Sequence, residues 1–341
     1  SIQASMHVFL PQPSLSVRVW NGTPHEFLIK AAELTRTGIG LPAYYNDEVI
    51  IPSLMSRGLT LQDARDYNII GCVEPQKSGK TEGWHDAAFF NMCRPLELVF
   101  SNGEDKGVQI GPATGNVEDM TTFEQFYDAY KKQMSYAIQL LVNADNAIDM
   151  AHAERCPLPF LSSMVDDCMK SGKTVQEGGA VYNFTGPQGF GVANMADSLY
   201  AVKTLVYDEK KITMGELKEA LATNYGKGLG AEDIAAMTTK IANELRESGK
   251  QIGEKEVTAI LNTVVAASEA PAVKENGERI LKLIEKVPKF GNDIPEVDAF
   301  ARDVAYTYTE PLQHYKNPRG GFFQAGCYPV SANVPLGAQT G

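Results

Sequence analysis

The chain has 341 residues, of which 43% are hydrophobic and 21% are charged, so it can bury a sizeable core in one large domain or two smaller ones. A formal net charge of −11, with no long run of Lys or Arg, disfavours nucleic-acid binding, because neutralising phosphates requires a basic face. No apolar stretch approaches the roughly 20 residues of a membrane-spanning helix. Five scattered cysteines without a CxxC pair favour reduced thiols, as in a cytoplasmic protein, over a disulfide framework or a thiolate zinc site.

Short strands and helices are predicted to alternate in the first part of the chain. Residues 1–24 indicate one or two short strands, and residues 25–36 have the periodicity of a helix. A short helix is predicted over 60–67, because the threonine at its start can cap the first turn. A brief buried strand is predicted over 68–71.

Longer helices follow. The prolines and glycines of 72–84 indicate a loop, after which a helix is predicted over 86–101. A capping box at Thr121–Glu124 opens a periodic stretch that reaches about residue 154, which corresponds to a helix of roughly 50 Å at about 1.5 Å per residue. An alternating strand is predicted over 178–184.

The last part of the chain has the same organisation. A turn-rich loop at 186–191 precedes a helix over 192–206, and helices dominate 214–286 after a second capping box. A last helix is predicted over 295–315, and an alternating strand over 327–334. Short strands separated by long helices indicate an α/β fold.

Several candidate sites have ordinary structural explanations. Gly226–Gly230 lacks the P-loop pattern and ends a helix, and Gly186–Gly191 matches no dinucleotide fingerprint, so both segments indicate turns. The five histidines do not cluster at a metal-binding spacing. Cys93, Cys156 and Cys168 have apolar neighbours, which is typical of buried and unreactive thiols.

One segment brings a thiol and a carboxyl together. Cys72 and Glu74 are separated by one residue, so their side chains share a face if the backbone is extended. Pro75 biases Glu74 toward that conformation. His85 and Asp86 follow at the predicted start of a helix. A neighbouring carboxylate keeps the thiol protonated, which is poor for a thiolate nucleophile but suits a reaction that needs an S–H hydrogen atom and a separate base.

These residues lie in segments that resemble the cysteine finger of glycyl radical enzymes. The resemblance is to the eliminase branch, which includes propanediol and glycerol dehydratases, choline trimethylamine-lyase and hydroxyproline dehydratase. The motifs cover nearly the whole chain: GCVEPQ (71–76), GWHDAAFFN (83–91), LPAYYNDEVIIPSL (41–54), NADNAIDMAHAERCPLPFLSSMVDDC (143–168), GGAVYNFTGPQGFGVAN (178–194) and YPVSANVPLGAQTG (328–341). Pyruvate formate-lyase has two adjacent cysteines at the finger tip, whereas Val73 stands here, so that activity is disfavoured.

The resemblance implies an α/β fold that is half of a ten-stranded pyruvate formate-lyase-like barrel surrounded by helices. A single domain over 1–341 is expected, holding the second half-barrel, the finger at 71–91 and a helical insertion at about 227–288. The chain is expected to be an internal fragment: it starts without Met, and it has no RVxGY-like motif, so the C-terminal glycyl radical domain is expected outside it.

The implied activity is the radical dehydration of a small diol, from propane-1,2-diol to propanal and water. Cys72 is expected to carry a thiyl radical and Glu74 to act as the base, as the two catalytic residues. His85 and Asp86 are expected to bind the substrate. Asp86 could instead cap the helix expected at 86, and His85 could instead orient Asp86.

Further predictions depend on the resemblance alone. Tyr328 and Val330, two residues apart on one predicted strand, are expected to line the substrate pocket, with barrel packing as the alternative for Tyr328. Glycerol dehydration, and after it choline trimethylamine cleavage, are the alternative activities. A catalytically silent half-barrel that serves as a binding module is the non-enzymatic alternative.

The resemblance also implies cofactors and partners. No metal is expected, and no cofactor bound in this chain, because the radical is expected on a glycine outside the sequence. The expected partners are the diol substrate, a radical-SAM activating enzyme and a second copy in a homodimer, with no nucleic acid and no membrane. The expected location is the cytoplasm, with a bacterial microcompartment as an alternative.

Overall fold

The structure is a computed structural model that describes residues 1–8, 14–71, 73–228, 254–268, 270–327 and 335–337. The chain divides into two compact units. The first unit combines the described residues between 1 and 89, 142 and 188, and 312 and 328. The second unit combines those between 90 and 141, 189 and 311, and 329 and 341.

Helices form most of both units. Those of the first unit are Ile2–Val8, His25–Thr35, Asp47–Ser56, Leu61–Arg65, Pro159–Ser162 and Cys168–Ser171, with a 3₁₀ turn at Val175–Glu177. Those of the second unit are Arg94–Phe100, Val192–Val202, Met214–Ala222, Glu254–Ser268 and Pro271–Lys286, with a 3₁₀ turn at Val117–Asp119 and a π-helical turn at Lys203–Asp208. Phe123–Arg155 begins in the second unit and ends in the first, and Pro295–Leu312 ends on the first unit's Leu312. Among the described helices, none combines the length and the apolar composition needed to cross a membrane.

The strands are short. In the first unit Ser16–Val19 and Ala43–Asn46 pair in parallel, and Asn68–Ile70 and Glu74–Gln76 form an antiparallel hairpin. A three-stranded parallel sheet has Tyr182–Thr185 at its centre, between Thr81–Glu82 and Phe322–Phe323. Glu104–Asp105 and Val108–Gln109 form a hairpin in the second unit. Phe89–Asn91 and Gln188–Phe190 each begin in the first unit and end in the second.

A compact apolar core supports the hairpin in the first unit. Its buried members are Tyr45, Leu54, Leu59, Ala64, Tyr67 and Phe184. The buried Asp63 links the helix Leu61–Arg65 to the central strand, because Asp63 accepts a hydrogen bond from the Tyr182 hydroxyl at 2.7 Å and pairs with Lys80 at 2.8 Å. Burying a carboxylate is costly unless donors reach it, and these two contacts supply the donors.

A buried ion pair holds the strand ends of the three-stranded sheet. Arg319 pairs with Asp149, on the long helix, at 2.9 Å, and both side chains are almost fully buried. The Arg319 guanidinium also donates to the backbone carbonyls of Glu82 and Phe184. One side chain therefore ties the long helix to two neighbouring strands, and its charge and donors are satisfied together.

The predicted helices with clear start signals are confirmed. The helix expected over 25–36 spans His25–Thr35. The Thr60 hydroxyl accepts from the Asp63 backbone nitrogen at 3.1 Å, as expected of a cap. The long helix ends at Arg155, one residue beyond the expected end.

One capping box is confirmed and the other is shifted. Thr213 accepts from the Glu216 backbone nitrogen at 3.1 Å, and Glu216 accepts from the Thr213 backbone nitrogen at 2.7 Å. At the start of the long helix, the Thr122 hydroxyl and Gln125 take these roles. The box expected at Thr121–Glu124 therefore lies one residue further along, because a glutamine serves as well as a glutamate at that position.

Several predictions for the first hundred residues are wrong. Of the range 1–24, Ser16–Val19 is a strand as predicted, but Ile2–Val8 is a helix, none of whose residues is buried. The helix expected over 86–101 is confined to Arg94–Phe100, and Phe89–Asn91 before it is a strand. The strand Asn68–Ile70 exists, but its two outer residues are exposed, not buried.

The two loops that were predicted from prolines and glycines each contain strand. The range 72–84 includes Glu74–Gln76 and Thr81–Glu82, and the range 186–191 includes Gln188–Phe190. Residues that are distant in sequence supply backbone hydrogen bonds to these segments. For example, the backbone nitrogen of Tyr182 donates to the Lys80 carbonyl at 2.9 Å. The predicted strand residues 328–334 and the part of the expected insertion at 229–253 lie outside the described residues.

Candidate active site

The hairpin pairs Glu74 with Ile70, directly before the point where the chain reverses. Gly71 and Val73 are the described residues next to this pair. Gly71 has a φ of +60°, and a Cβ there would lie 2.8 Å from Glu74 Oε2, so glycine provides both the backbone conformation and the space for the carboxylate. Cys72 lies outside the described residues, and its approach to Glu74 stays a prediction.

Glu74 is a buried carboxylate with defined donors. Only 3% of the residue is exposed. Oε2 accepts from the Val73 backbone nitrogen at 3.0 Å, and Oε1 accepts from Gln188 Nε2 at 2.8 Å. The extended conformation expected before Pro75 is confirmed, because Glu74 begins a strand. Such a group can remain in the protein interior and still accept a proton from a bound molecule.

Asp86 shares the donor of Glu74. Asp86 Oδ1 accepts from Gln188 Nε2 in a short contact. Asp86 is exposed and lies in a turn, with the next helix beginning only at Arg94. The helix start expected at residue 86, and with it the alternative that Asp86 caps a helix, is therefore wrong. The preceding turn instead brings its carboxylate to the buried amide.

His85 points its ring to a second glutamine. His85 Nε2 lies 3.1 Å from Gln76 Oε1, so this ring nitrogen faces Gln76. With that oxygen as the acceptor, the bond assigns a ring proton to Nε2. A Cβ on Gly83 would lie 2.0 Å from the ring, so the ring occupies the space that this glycine leaves open.

The charge state of His85 limits its chemistry. Burial of the ring, and secondarily the positive charge of Arg319, lowers the pKa of His85 to about 4. At neutral pH the imidazole is therefore uncharged. It can hold a hydroxyl group by hydrogen bonding, but it is not an imidazolium acid there.

Sequence reasoning missed two residues of the candidate site, Gln76 and Gln188. Gln188 is 1% exposed, and its side-chain nitrogen faces Glu74 and Asp86. Gln76 is buried as well. The available signal was a polar residue inside the glycine-rich segment 186–191, which we interpreted only as a turn; an amide in such a segment, directly after a buried strand, is itself a candidate contact.

The other predicted pocket residues follow the last described segment. Tyr328 and Val330 lie outside the described residues. Just before them, Gly326 donates from its backbone nitrogen to the Pro187 carbonyl at 3.1 Å and forms a parallel bridge with Gln188. Their role as pocket residues stays a prediction.

The remaining thiols differ in burial. Cys168 is buried as expected and Cys93 is half-buried, but Cys156 is exposed, so its predicted burial is wrong. Burial raises the pKa of the Cys93 thiol to about 11, so it stays protonated. Within the described ranges, no group of three or more His, Cys, Asp or Glu side chains is arranged to hold a metal ion.

Comparisons with known proteins agree with the resemblance. The family model for pyruvate formate lyase-like proteins matches residues 1–337. A structure concerning 1,2-propanediol dehydration in Roseburia inulinivorans is 61% identical, with a TM-score of 0.90 over 99% of this chain and 40% of that one. The glycerol-bound form of the B12-independent glycerol dehydratase from Clostridium butyricum is 54% identical, with a TM-score of 0.78 over 99% of this chain and 37% of that one. The (2S)-3-sulfopropanediol dehydratase of Klebsiella oxytoca is 33% identical over 99% of this chain and 36% of its own length.

The fold and these matches define a glycyl radical enzyme fold of mixed helix and sheet, of which this chain forms a part. The chain belongs to the pyruvate formate lyase-like family, and its relatives include diol and glycerol dehydratases. It spans between 36% and 40% of the length of these relatives.

Proposed function

We propose that this chain carries the cysteine and the base of a glycyl radical diol dehydratase, a carbon–oxygen lyase that converts propane-1,2-diol to propanal and water. The observation that carries the proposal is the buried Glu74 carboxylate, which lies next to the finger tip and shares one amide donor with Asp86. Two carboxylates on one amide suit a substrate with two adjacent hydroxyl groups.

The reaction starts from hydrogen-atom transfer. The Cys72 thiol loses its hydrogen atom to a glycyl radical, which supplies the unpaired electron and belongs to a glycine outside this sequence. The resulting thiyl sulfur abstracts a hydrogen atom from C1 of the diol. Glu74 takes the proton of the C1 hydroxyl, which gives a ketyl-like radical that expels the C2 hydroxyl.

The proton balance closes within the site. The C2 hydroxyl leaves with one proton as water, and this proton replaces the one that Glu74 removed from the C1 hydroxyl. His85 and Asp86 hold the leaving hydroxyl. Since the pKa of His85 is lowered to about 4, this proton comes from a carboxyl group and not from the imidazole. The product radical regains a hydrogen atom from Cys72, which regenerates the thiyl radical.

The comparisons support propane-1,2-diol as the substrate. The 61% identical structure concerns 1,2-propanediol dehydration, and the 54% identical structure holds glycerol. Glycerol is therefore the second candidate substrate. A radical-SAM activating enzyme is the partner that this chemistry requires, and the homodimer and the microcompartment stay predictions.

The test uses the full-length protein, activated under anaerobic conditions. Propane-1,2-diol, glycerol and choline are offered separately, and propanal, 3-hydroxypropanal and trimethylamine are measured. We expect propanal as the main product in the wild type and none from Cys72→Ser, with Cys168→Ser, a buried cysteine outside the site, as the active control. Propanal formation that survives Cys72→Ser contradicts the mechanism. Activity on choline alone contradicts the substrate, and no turnover of any compound favours a binding module.

A further inference from the structure

The amide of Gln188 faces three oxygen atoms. Its Nε2 lies 2.8 Å from Glu74 Oε1 and 3.2 Å from the His85 carbonyl, and it makes the short contact with Asp86 Oδ1. Three acceptors identify this end of the side chain as the NH₂ group, because the carbonyl end would be repelled by all of them. A single amide therefore bridges the carboxylates of Glu74 and Asp86.

The bridge is held rigidly. The Gln188 side chain is 1% exposed, and its backbone nitrogen donates to the Ala88 carbonyl at 2.8 Å. On its other side it forms the bridge with Gly326. Backbone contacts on both sides and a buried side chain leave the amide little freedom, so its two N–H bonds are already oriented before any ligand binds.

We propose that Gln188 is a positioning residue that holds the carboxylates of Glu74 and Asp86 side by side, where two adjacent hydroxyl groups can reach both. This inference rests on the proposed function, since the hydroxyls are those of the diol. Both carboxylates accept from the same donor nitrogen, which fixes their positions relative to each other. Gln188 itself does not touch the reacting atoms.

The neutral charge of the amide is part of its function. A lysine or arginine at this place would pair with the carboxylates and make Glu74 a much weaker base. An amide stabilises and orients the two carboxylates without a full positive charge. The site thus keeps a base that can take a proton from a hydroxyl.

The alternative is that Gln188 merely satisfies a buried carboxylate. Gln133 provides the matched comparison for that role. It is likewise 1% exposed, and its Nε2 donates to a backbone carbonyl, that of Pro112, at 2.7 Å, with Oε1 unpartnered among the described residues, as it is in Gln188. We expect the replacement of either glutamine to lower the stability of the protein, whereas only the replacement of Gln188 should lower kcat.

A first experiment needs no radical. The full-length protein is labelled with ¹⁵N in glutamine side chains, and the NH₂ resonances of Gln188 are assigned by their loss in Gln188→Glu. We expect Glu74→Gln and Asp86→Asn each to shift these resonances, because each substitution removes one charged acceptor of the amide. Gln188 resonances that stay unchanged in both variants overturn the proposed bridge.

A second experiment tests positioning in the activated full-length protein. Gln188→Met keeps the length and removes both donors, so we expect kcat to fall roughly 10- to 100-fold, with KM changed less. Gln133→Met should lose stability and keep kcat. If Gln188→Met does not fold, Gln188→Glu, which retains the shape, should show the same fall in kcat with KM changed less.

The outcomes separate this inference from the proposed function. A folded Gln188 variant with the wild-type kcat overturns the positioning role while the dehydratase stands. An inactive wild type in which both substitutions shift the Gln188 resonances overturns the dehydratase and leaves the bridge supported.

Discussion

At the residue scale, the buried carboxylate of Glu74 is the group on which the proposed chemistry depends most. Glu74→Gln keeps the shape of the side chain and an oxygen that can still accept from Gln188, but it cannot take up a proton. We expect kcat to fall roughly 10²- to 10⁴-fold, measured as propanal formation by the activated full-length protein. Glu82→Gln, at a half-buried strand position, is the control. Equal kcat values for Glu74→Gln and the wild type would contradict the assignment of the base.

His85 gives a prediction for stability against pH. Burial, and then Arg319, lowers its pKa to about 4 from 6.5. Between these values the unfolded chain binds more protons than the folded chain, so stability falls as the pH drops. The contribution amounts to about 3 kcal/mol at most between about pH 6.5 and 4.

The measurement compares urea unfolding of the wild type and His85→Gln across that range. We expect the wild type to lose stability relative to the variant as the pH falls, and to show no such change above about pH 7. A constant difference between the two proteins at all pH values would mean that the ring is protonated as easily in the folded state as in the unfolded chain.

At the element scale, the long helix carries a like-charged pair one turn apart. Asp149 is paired with Arg319, whereas burial and the neighbouring Asp149 raise the pKa of Asp145 to about 7. Here the folded chain binds more protons than the unfolded chain between the ordinary value of 3.8 and about 7. Stability therefore falls as the pH rises through that window, opposite in sign to the effect of His85.

Asp145→Asn tests this pair. The amide resembles the protonated acid, so we expect the variant to gain up to about 4 kcal/mol over the wild type at about pH 8 and little at about pH 4. Urea unfolding at the two pH values measures the difference. Asp149→Asn is the contrasting variant, since it leaves Arg319 buried without its partner and should destabilise at both. An Asp145→Asn effect that does not depend on pH contradicts the raised pKa.

The same elements show what sequence patterns can predict. Helices with a hydroxyl cap, such as those that begin after Thr60 and Thr213, were predicted correctly, because their signals lie within a few residues. The strand Thr81–Glu82 was missed, because its backbone is paired with Tyr182, a hundred residues away. The local prolines and glycines predict a loop, and the sequence does not reveal the distant strand that pairs with this segment.

The candidate site likewise contains residues that the sequence predicts and residues that it does not. Glu74 and its extended backbone could be predicted from the neighbouring Pro75. The Gln188 amide could not, since it reaches Glu74 only through tertiary packing, from a position 114 residues further along the sequence. Motifs identify the groups that react, whereas the residues that hold them come from distant parts of the chain.

At the scale of the whole molecule, the chain spans between 36% and 40% of the length of its relatives. Within the described part, the polar side chains of the site provide two carboxylates and a neutral imidazole. Under the proposed function, the two hydroxyls of a vicinal diol bind to these two carboxylates. A third hydroxyl, as in glycerol, has no further charged acceptor among the described site residues.

This arrangement predicts how strongly the enzyme separates its two candidate substrates, which differ by one hydroxyl at C3. An apolar contact at C3 rejects an added hydroxyl by roughly 100-fold at most, whereas a site built to bond that hydroxyl rejects the diol lacking it by roughly 10⁴-fold. We therefore expect kcat/KM for propane-1,2-diol to exceed that for glycerol by roughly 10- to 100-fold in competition assays of the activated full-length protein. A preference of roughly 10⁴-fold for glycerol would require a dedicated polar partner for C3, and would make glycerol the substrate of the same two carboxylates.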